Sequence, residues 1–149
     1  MDNEILVAVD GSEHSTKVVS AATDLAKKTS SKILLVSVIN PPPQEPEGIR
    51  AYEKVENFPD AYAEYLKAIT DHLTERLSKQ IQSQGVQHRV VTPSGNPAKE
   101  ILELADLDKV KSIVIGLKGQ HHGIGLIGSL GSVSRRVIEN SKVPVLVVP

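Results

Sequence analysis

No cysteine occurs among the 149 residues. Disulfides, thiolate nucleophiles, Cys-ligated zinc and iron-sulfur clusters are therefore excluded, whatever the redox compartment. Tryptophan is absent as well, and aromatic residues make up only 3% of the chain. A core must then be assembled from the Val, Ile, Leu and Ala that dominate the 40% hydrophobic fraction, as is usual for strands sandwiched between helices. Neither sign of charge is in excess: 17 Lys and Arg stand against 18 Asp and Glu, and the basic residues form no run. Nucleic acid is not an expected partner. No apolar run approaches the roughly 18 residues that a membrane-spanning helix needs, and Met1 to Glu4 is polar and acidic. The expectation is a cytoplasmic protein with no membrane partner, folded as one domain over residues 1–149.

Apolar runs and breakers alternate along the chain. Ile5 to Val9 reads as a strand buried on both faces, ending at Asp10-Gly11-Ser12. Ser12 is a candidate N-cap for a helix in which Val18, Val19, Ala22, Leu25 and Ala26 recur at helical spacing. Ile33 to Ile39 is a second strand, and four prolines between Asn40 and Gly48 then force a surface loop. From about Asp60, the positions Tyr62, Tyr65, Leu66, Ile69, Leu73, Leu77 and Ile81 advance by threes and fours until Gly85, which marks a long amphipathic helix. Val86 to Thr92 gives a third strand. Asn96 then caps a third helix with Pro97 at its first position, running to about Ala105. Ile113 to Ile115, a helical pattern from Val133 to Glu139 and a last strand from Val145 to Val148 complete the order.

Five strands and four helices in strict alternation predict a doubly wound α/β fold, with a parallel sheet of order 3-2-1-4-5 and helices on both faces. Ligands in such sheets bind beyond the strand C-termini where the strand order reverses. That directs attention to the turns after Val9 and Ile115.

Six of the ten glycines lie between Gly116 and Gly131. Glycine lets backbone N–H groups approach a ligand closely, and the following helix adds unpaired donors and the positive end of its dipole, a combination suited to phosphate. A connector that needs only flexibility is the other reading. Gly123-Ile124-Gly125-Leu126-Ile127-Gly128 spells a literal G-x-G-x-x-G, but far from a first strand-to-helix turn, so it is not a dinucleotide fingerprint. Ser129 stands where a P-loop would need lysine. His121 and His122 are adjacent on a loop, without the spacing of a metal pair, and read as solvated histidines. No G-x-S-x-G elbow occurs, and Glu45, Glu47, Glu53 and Glu56 read as solvated charge beside the proline-rich loop. No catalytic residue and no protein-held metal site is nominated.

Three separated pieces carry a resemblance: Val7-Ala8-Val9-Asp10-Gly11-Ser12, then Gly116-x-x-Gly119 with Gly131-Ser132-Val133-Ser134, and Pro144-Val145-Leu146-Val147-Val148. Together they resemble the universal stress protein family, with its Rossmann-like sheet, and in particular the ATP-binding branch of that family. In that branch nine residues separate the second glycine from a third; here eleven separate Gly119 from Gly131. The spacing from Gly131 to Pro144 matches the family and anchors the register at Gly131-Ser132 rather than Gly128-Ser129.

The resemblance implies ATP held near Ala8, Val9 and Asp10, with main-chain groups of Val38 at the adenine edge. Ile115, Gly116, Lys118 and Gly119 would line the ribose and phosphates. The N–H groups and hydroxyls of Gly131, Ser132, Val133 and Ser134 would hold the terminal phosphates, with magnesium bound through phosphate oxygens. Asp10 would accept hydrogen bonds from ribose or base, or cap its own turn. Pairing of the strand Val145 to Val148 with its two-fold copy would give a homodimer. The implied role is a regulatory, stress-response ATP binder with an unidentified protein partner. Two alternatives stand beside it: a nucleotide-independent dimeric interaction module, and a slow ATPase, autophosphorylating enzyme or phosphotransferase.

Overall fold

The computed structural model describes residues 2–40, 58–117 and 131–149. Its elements are β1 (Glu4–Ala8), α1 (Ser15–Thr29), β2 (Lys32–Val36), α2 (Phe58–Ser83), β3 (His88–Val91), α3 (Pro97–Ala105), β4 (Val110–Gly116), α4 (Ser132–Asn140) and β5 (Val145–Val148). The strands form one sheet in the order β3-β2-β1-β4-β5, every neighbouring pair parallel. This is the doubly wound arrangement that the alternation predicts.

Alternation of side chains along the central strands builds two cores, one per face. Ile5, Val7 and Val9 join Ile33, Leu35 and Val114 beneath Val18, Val19, Ala22 and Ala26 of α1 and Leu77 and Ile81 of α2. Leu6 and Ala8 join Leu34, Val36, Ile113 and Ile115 beneath Ala98, Ile101 and Ala105 of α3 and Val137 of α4. All five residues of β1 are buried, because the strand is covered on both faces and paired on both edges. The outer strands β3 and β5 are only partly covered, and Leu146 on β5 remains 44% exposed.

Among the boundaries that differ from the sequence expectation, three bear on the site or its sheet. β4 begins at Val110 rather than Ile113, since Val110 and Ser112 pair with Glu4 and Ile5 of β1, with Lys111 at the irregularity between them. β2 ends at Val36, beyond which Ile39 makes only an isolated parallel bridge to Ser94. Helix α1 begins at Ser15 with His14 as its N-cap, so Ser12 does not cap it. Instead, the Ser12 N–H donates to Asp10 Oδ1 at 3.0 Å, and the Ser12 carbonyl accepts from Ser15 N–H. The tight turn after β1 needs Gly11 at φ +86, a conformation that L side chains rarely adopt.

Asn96 does cap α3, accepting from Lys99 N–H at 3.1 Å, with Pro97 at the first helical position. Helix α2 buries apolar side chains fully only over its second half. Its 26 residues extend about 39 Å, against about 17 Å for a five-residue strand. Leu77 and Ile81 are buried, whereas Tyr65 and Ile69 lie beyond the sheet and are exposed.

At the opposite end from the strand C-termini, Glu4 is buried and bound in bidentate fashion by Arg89, with Nε 2.7 Å and Nη2 2.9 Å from its carboxylate oxygens. Those hydrogen bonds hold the Glu4 carboxyl below its ordinary range despite its burial.

Candidate functional site

A cavity of about 330 Å³ opens beyond the C-terminal ends of β1, β2 and β4, at the point where the strand order reverses. Its volume lies at the lower end of the range for small-molecule pockets, roughly 300 to 1,000 Å³. The floor is apolar: Ala8 and Val9 end β1, Val36 and Val38 end β2, Ile115 ends β4, and Val18 and Ile101 close the sides. Three helix N-termini border it, through Ser12, His14 and Ser15 for α1, Pro97 for α3 and Gly131 to Ser134 for α4.

Of the residues singled out from sequence, Ala8, Val9, Asp10, Val38, Ile115, Gly116, Gly131, Ser132, Val133 and Ser134 all line this one cavity. Lys118 and Gly119 lie outside the described residues, as do His121, His122, the Gly123 to Gly128 stretch and the loop glutamates.

The end of β4 and the start of α4 are tied together. Gly131 N–H donates to the Leu117 carbonyl at 3.0 Å, and Ser134 Oγ donates to the Gly116 carbonyl at 2.6 Å. Gly131 is the N-cap of α4, with φ −62 and ψ 156, an extended conformation open to any residue. The backbone conformation therefore does not itself require glycine here. The first intrahelical bond of α4 runs from Arg135 N–H to the Gly131 carbonyl, which leaves Ser132, Val133 and Ser134 N–H without intrahelical acceptors. The Ser134 hydroxyl proton is engaged by the Gly116 carbonyl. No acidic residue sits in the first turn of α4, so its dipole is uncompensated there.

Several lining residues carried no sequence signal as a group. His14 Nε2 donates to the Val148 carbonyl at 2.9 Å, and Lys17 Nζ donates to the Pro149 carbonyl at 2.6 Å. The first turn of α1 is thereby fastened to the end of β5, across a separation of 134 residues for the first pair. Pro97 and Ile101 reach the cavity because α3 packs beside α4 on one face. The position of Ser12, His14 and Ser15 at the turn into the helix that follows the first strand was the one available clue.

Asp10 has both of the roles considered for it within reach. Its Oδ1 holds the turn, and the residue borders the cavity. Among the described residues no group of three or more His, Cys, Asp or Glu side chains could hold a metal ion, and no helix is long and apolar enough to cross a membrane.

An apolar crevice at the switch point of a doubly wound sheet, with the N-terminus of α4 at one end, is where α/β folds of this class usually hold their ligands. The family model "Universal stress protein family" matches residues 1–149, and the chain belongs to that family. It is 32% identical over 149 residues to universal stress protein YxiE of Bacillus subtilis, covering 99% of both chains. The universal stress protein UspA from Lactobacillus plantarum superposes with a TM-score of 0.78 at 18% identity, covering 99% of this chain and 97% of the other. A universal stress protein in complex with cAMP matches at TM-score 0.67 and 24% identity, over 99% and 96% of the two chains. One from Archaeoglobus fulgidus in complex with dAMP matches at 0.59 and 22%, over 99% and 98%.

Proposed function

We propose that this chain is a regulatory adenine-nucleotide binder of the stress-response type, with ATP as its ligand. The observation that carries the reading is the single cavity in which the strand ends, the α4 N-terminus and an apolar floor converge. The base would lie on the apolar side between Val36, Val38 and Ile101. Terminal phosphates would meet the N–H groups of Ser132, Val133 and Ser134, where the helix dipole favours negative charge. Magnesium would ride on the phosphate oxygens, as hard divalent cations do at nucleotide sites. The cAMP and dAMP complexes of family neighbours support an adenine ligand.

Among the described residues no group in the cavity has the context of an activated nucleophile, and the proposed output is occupancy rather than turnover. The partly covered edge strand β5, with Leu146 exposed, supports a homodimer formed by pairing with its two-fold copy. The His14 to Val148 bond would connect cavity and edge.

Titration with Mg-ATP, read by calorimetry and by thermal unfolding, tests the proposal. A micromolar-range Kd is expected. At 100 times Kd the ligand adds about 2.7 kcal/mol of stability, which for a chain of this size raises Tm by roughly 5 to 11 °C. Neither heat nor a shift with ATP, ADP, AMP or cAMP would leave the nucleotide-independent dimeric module as the reading, which the lengthened Gly119 to Gly131 spacing favours.

A further inference from the structure

We propose that the Asn40 carboxamide, just beyond β2 at the rim of the cavity, reads the 6-amino group and N7 of the bound adenine and so favours adenine over 6-oxopurines. The inference rests on the nucleotide reading above and assigns a side chain to base recognition.

Beyond Val36 the chain keeps the alternation of a strand. Ser37 N–H donates to the Val91 carbonyl at 3.3 Å and Ile39 N–H to the Pro93 carbonyl at 2.8 Å, while the Ile39 carbonyl accepts from Gly95 N–H at 2.9 Å. The turn between β3 and α3 thus holds this segment in place on one edge, up to the residue before Asn40. Side chains of an extended segment point alternately to opposite faces. In agreement, Val36, Val38 and Asn40 line the cavity, whereas Ser37 and Ile39 do not. Asn40 therefore shares the face of Val36 and Val38, the face that α3 and α4 cover.

Polar groups are spread unevenly around the cavity. Asp10, Ser12 and His14 stand at the α1 end, and Ser132 and Ser134 open α4. On the β2 and α3 side the lining consists of Val36, Val38, Pro97 and Ile101, with Asn40 as the only polar side chain among the described residues. Its carboxamide is exposed and has no protein partner among them. A purine lying on that apolar wall meets one side chain able to bond its polar edge. The carboxamide offers an acceptor and a donor side by side. Adenine offers the complement, a donating 6-amino group next to the acceptor N7, and asparagine pairs with that edge in nucleic acids. Guanine and hypoxanthine present two acceptors there, O6 and N7, so one polar atom of the carboxamide is left facing a lone pair.

The test compares Mg-ATP, Mg-7-deaza-ATP, in which carbon replaces N7, and Mg-ITP, in which a carbonyl replaces the 6-amino group. Calorimetry is run on the wild-type chain, Asn40→Ala and Asn40→Asp. Wild type is expected to bind 7-deaza-ATP about two- to tenfold more weakly than ATP, the loss of one neutral hydrogen bond. Asn40→Ala should bind ATP more weakly by a similar factor, bind ATP and 7-deaza-ATP equally, and show a narrower preference for ATP over ITP than wild type. Asn40→Asp keeps an acceptor for the 6-amino group but has no proton for N7, so its preference should reverse in favour of 7-deaza-ATP, which a purely structural role would not produce. Both variants should unfold without ligand within about 2 °C of wild type, because the side chain is exposed. Equal binding of ATP and 7-deaza-ATP by wild type would overturn the proposal without recourse to any variant, and so would wild-type preferences retained by Asn40→Ala; either result leaves the nucleotide reading in place. Failure of wild type to bind ATP at all would remove that reading, and this inference with it.

Discussion

Replacing Arg89 with methionine tests the account of the sheet's N-terminal end. The Glu4 side chain is 6% exposed and its two closest donors both come from Arg89, whose own side chain is half exposed. Breaking a fully buried ion pair by removing one partner costs about 3 to 5 kcal/mol, because the other charge is left without compensation. Here solvent reaches the guanidinium, and Lys32 and Lys109 still act on Glu4 from a distance, which lowers the expected cost to about 2 to 3 kcal/mol. For a chain of this length that is a fall in Tm of roughly 4 to 12 °C near neutral pH, read by circular dichroism.

The pH dependence has a definite sign. Glu4 has a folded-state pKa below the ordinary 4.5, so its contribution is present above that value and is lost as pH falls through the depressed folded value. The difference between wild type and Arg89→Met should therefore shrink on acidification. The double variant Glu4→Gln, Arg89→Met should recover part of the loss at neutral pH. A Tm unchanged within about 2 °C, or a loss equally large at about pH 7 and about pH 3, would refute the reasoning.

Gly131→Val should leave the fold intact, since φ −62 and ψ 156 suit any residue, yet weaken Mg-ATP binding at least tenfold by placing a branched side chain at the α4 end of the cavity; unchanged affinity in calorimetry would reject Gly131 as part of the phosphate cradle. Leu146→Glu should convert a dimer to monomers in sedimentation while leaving Tm at low protein concentration nearly unaltered, because the side chain is 44% exposed on an outer strand; a persistent dimer would place the interface elsewhere.

The legible parts of this molecule are those in which local pattern and burial coincide. The runs Ile5 to Val9 and Ile33 to Ile39 announce strands because both faces of a central parallel strand are dry, and within them Ile5 to Ala8 and Ile33 to Val36 carry no polar residue. Asn96-Pro97 is readable because capping is a local hydrogen bond. Pattern fails where solvent or a neighbour decides. Tyr65 and Ile69 have helical spacing like Leu77 and Ile81, but a helix longer than its sheet runs out of core to cover. Ser12 has the chemistry of an N-cap, yet it sits in the turn held by its N–H bond to Asp10, and the helix begins only at Ser15.

Of the candidate site, Asp10, Gly116 and the Gly131 to Ser134 segment were legible because they follow strand ends or open a helix. The cavity's other walls were not. Pro97 and Ile101 reach the site only because α3 packs beside α4.

By itself, then, the order of residues determined the alternation of elements, the composition of the two cores and the positions of the turns, all of which depend on interactions within a few residues or on periodic burial. Tertiary structure alone decided which helix N-termini share a crevice and that His14 reaches the carbonyl of Val148. Contacts between distant segments depend on how crossovers stack the helices on the sheet, and no local pattern encodes that geometry.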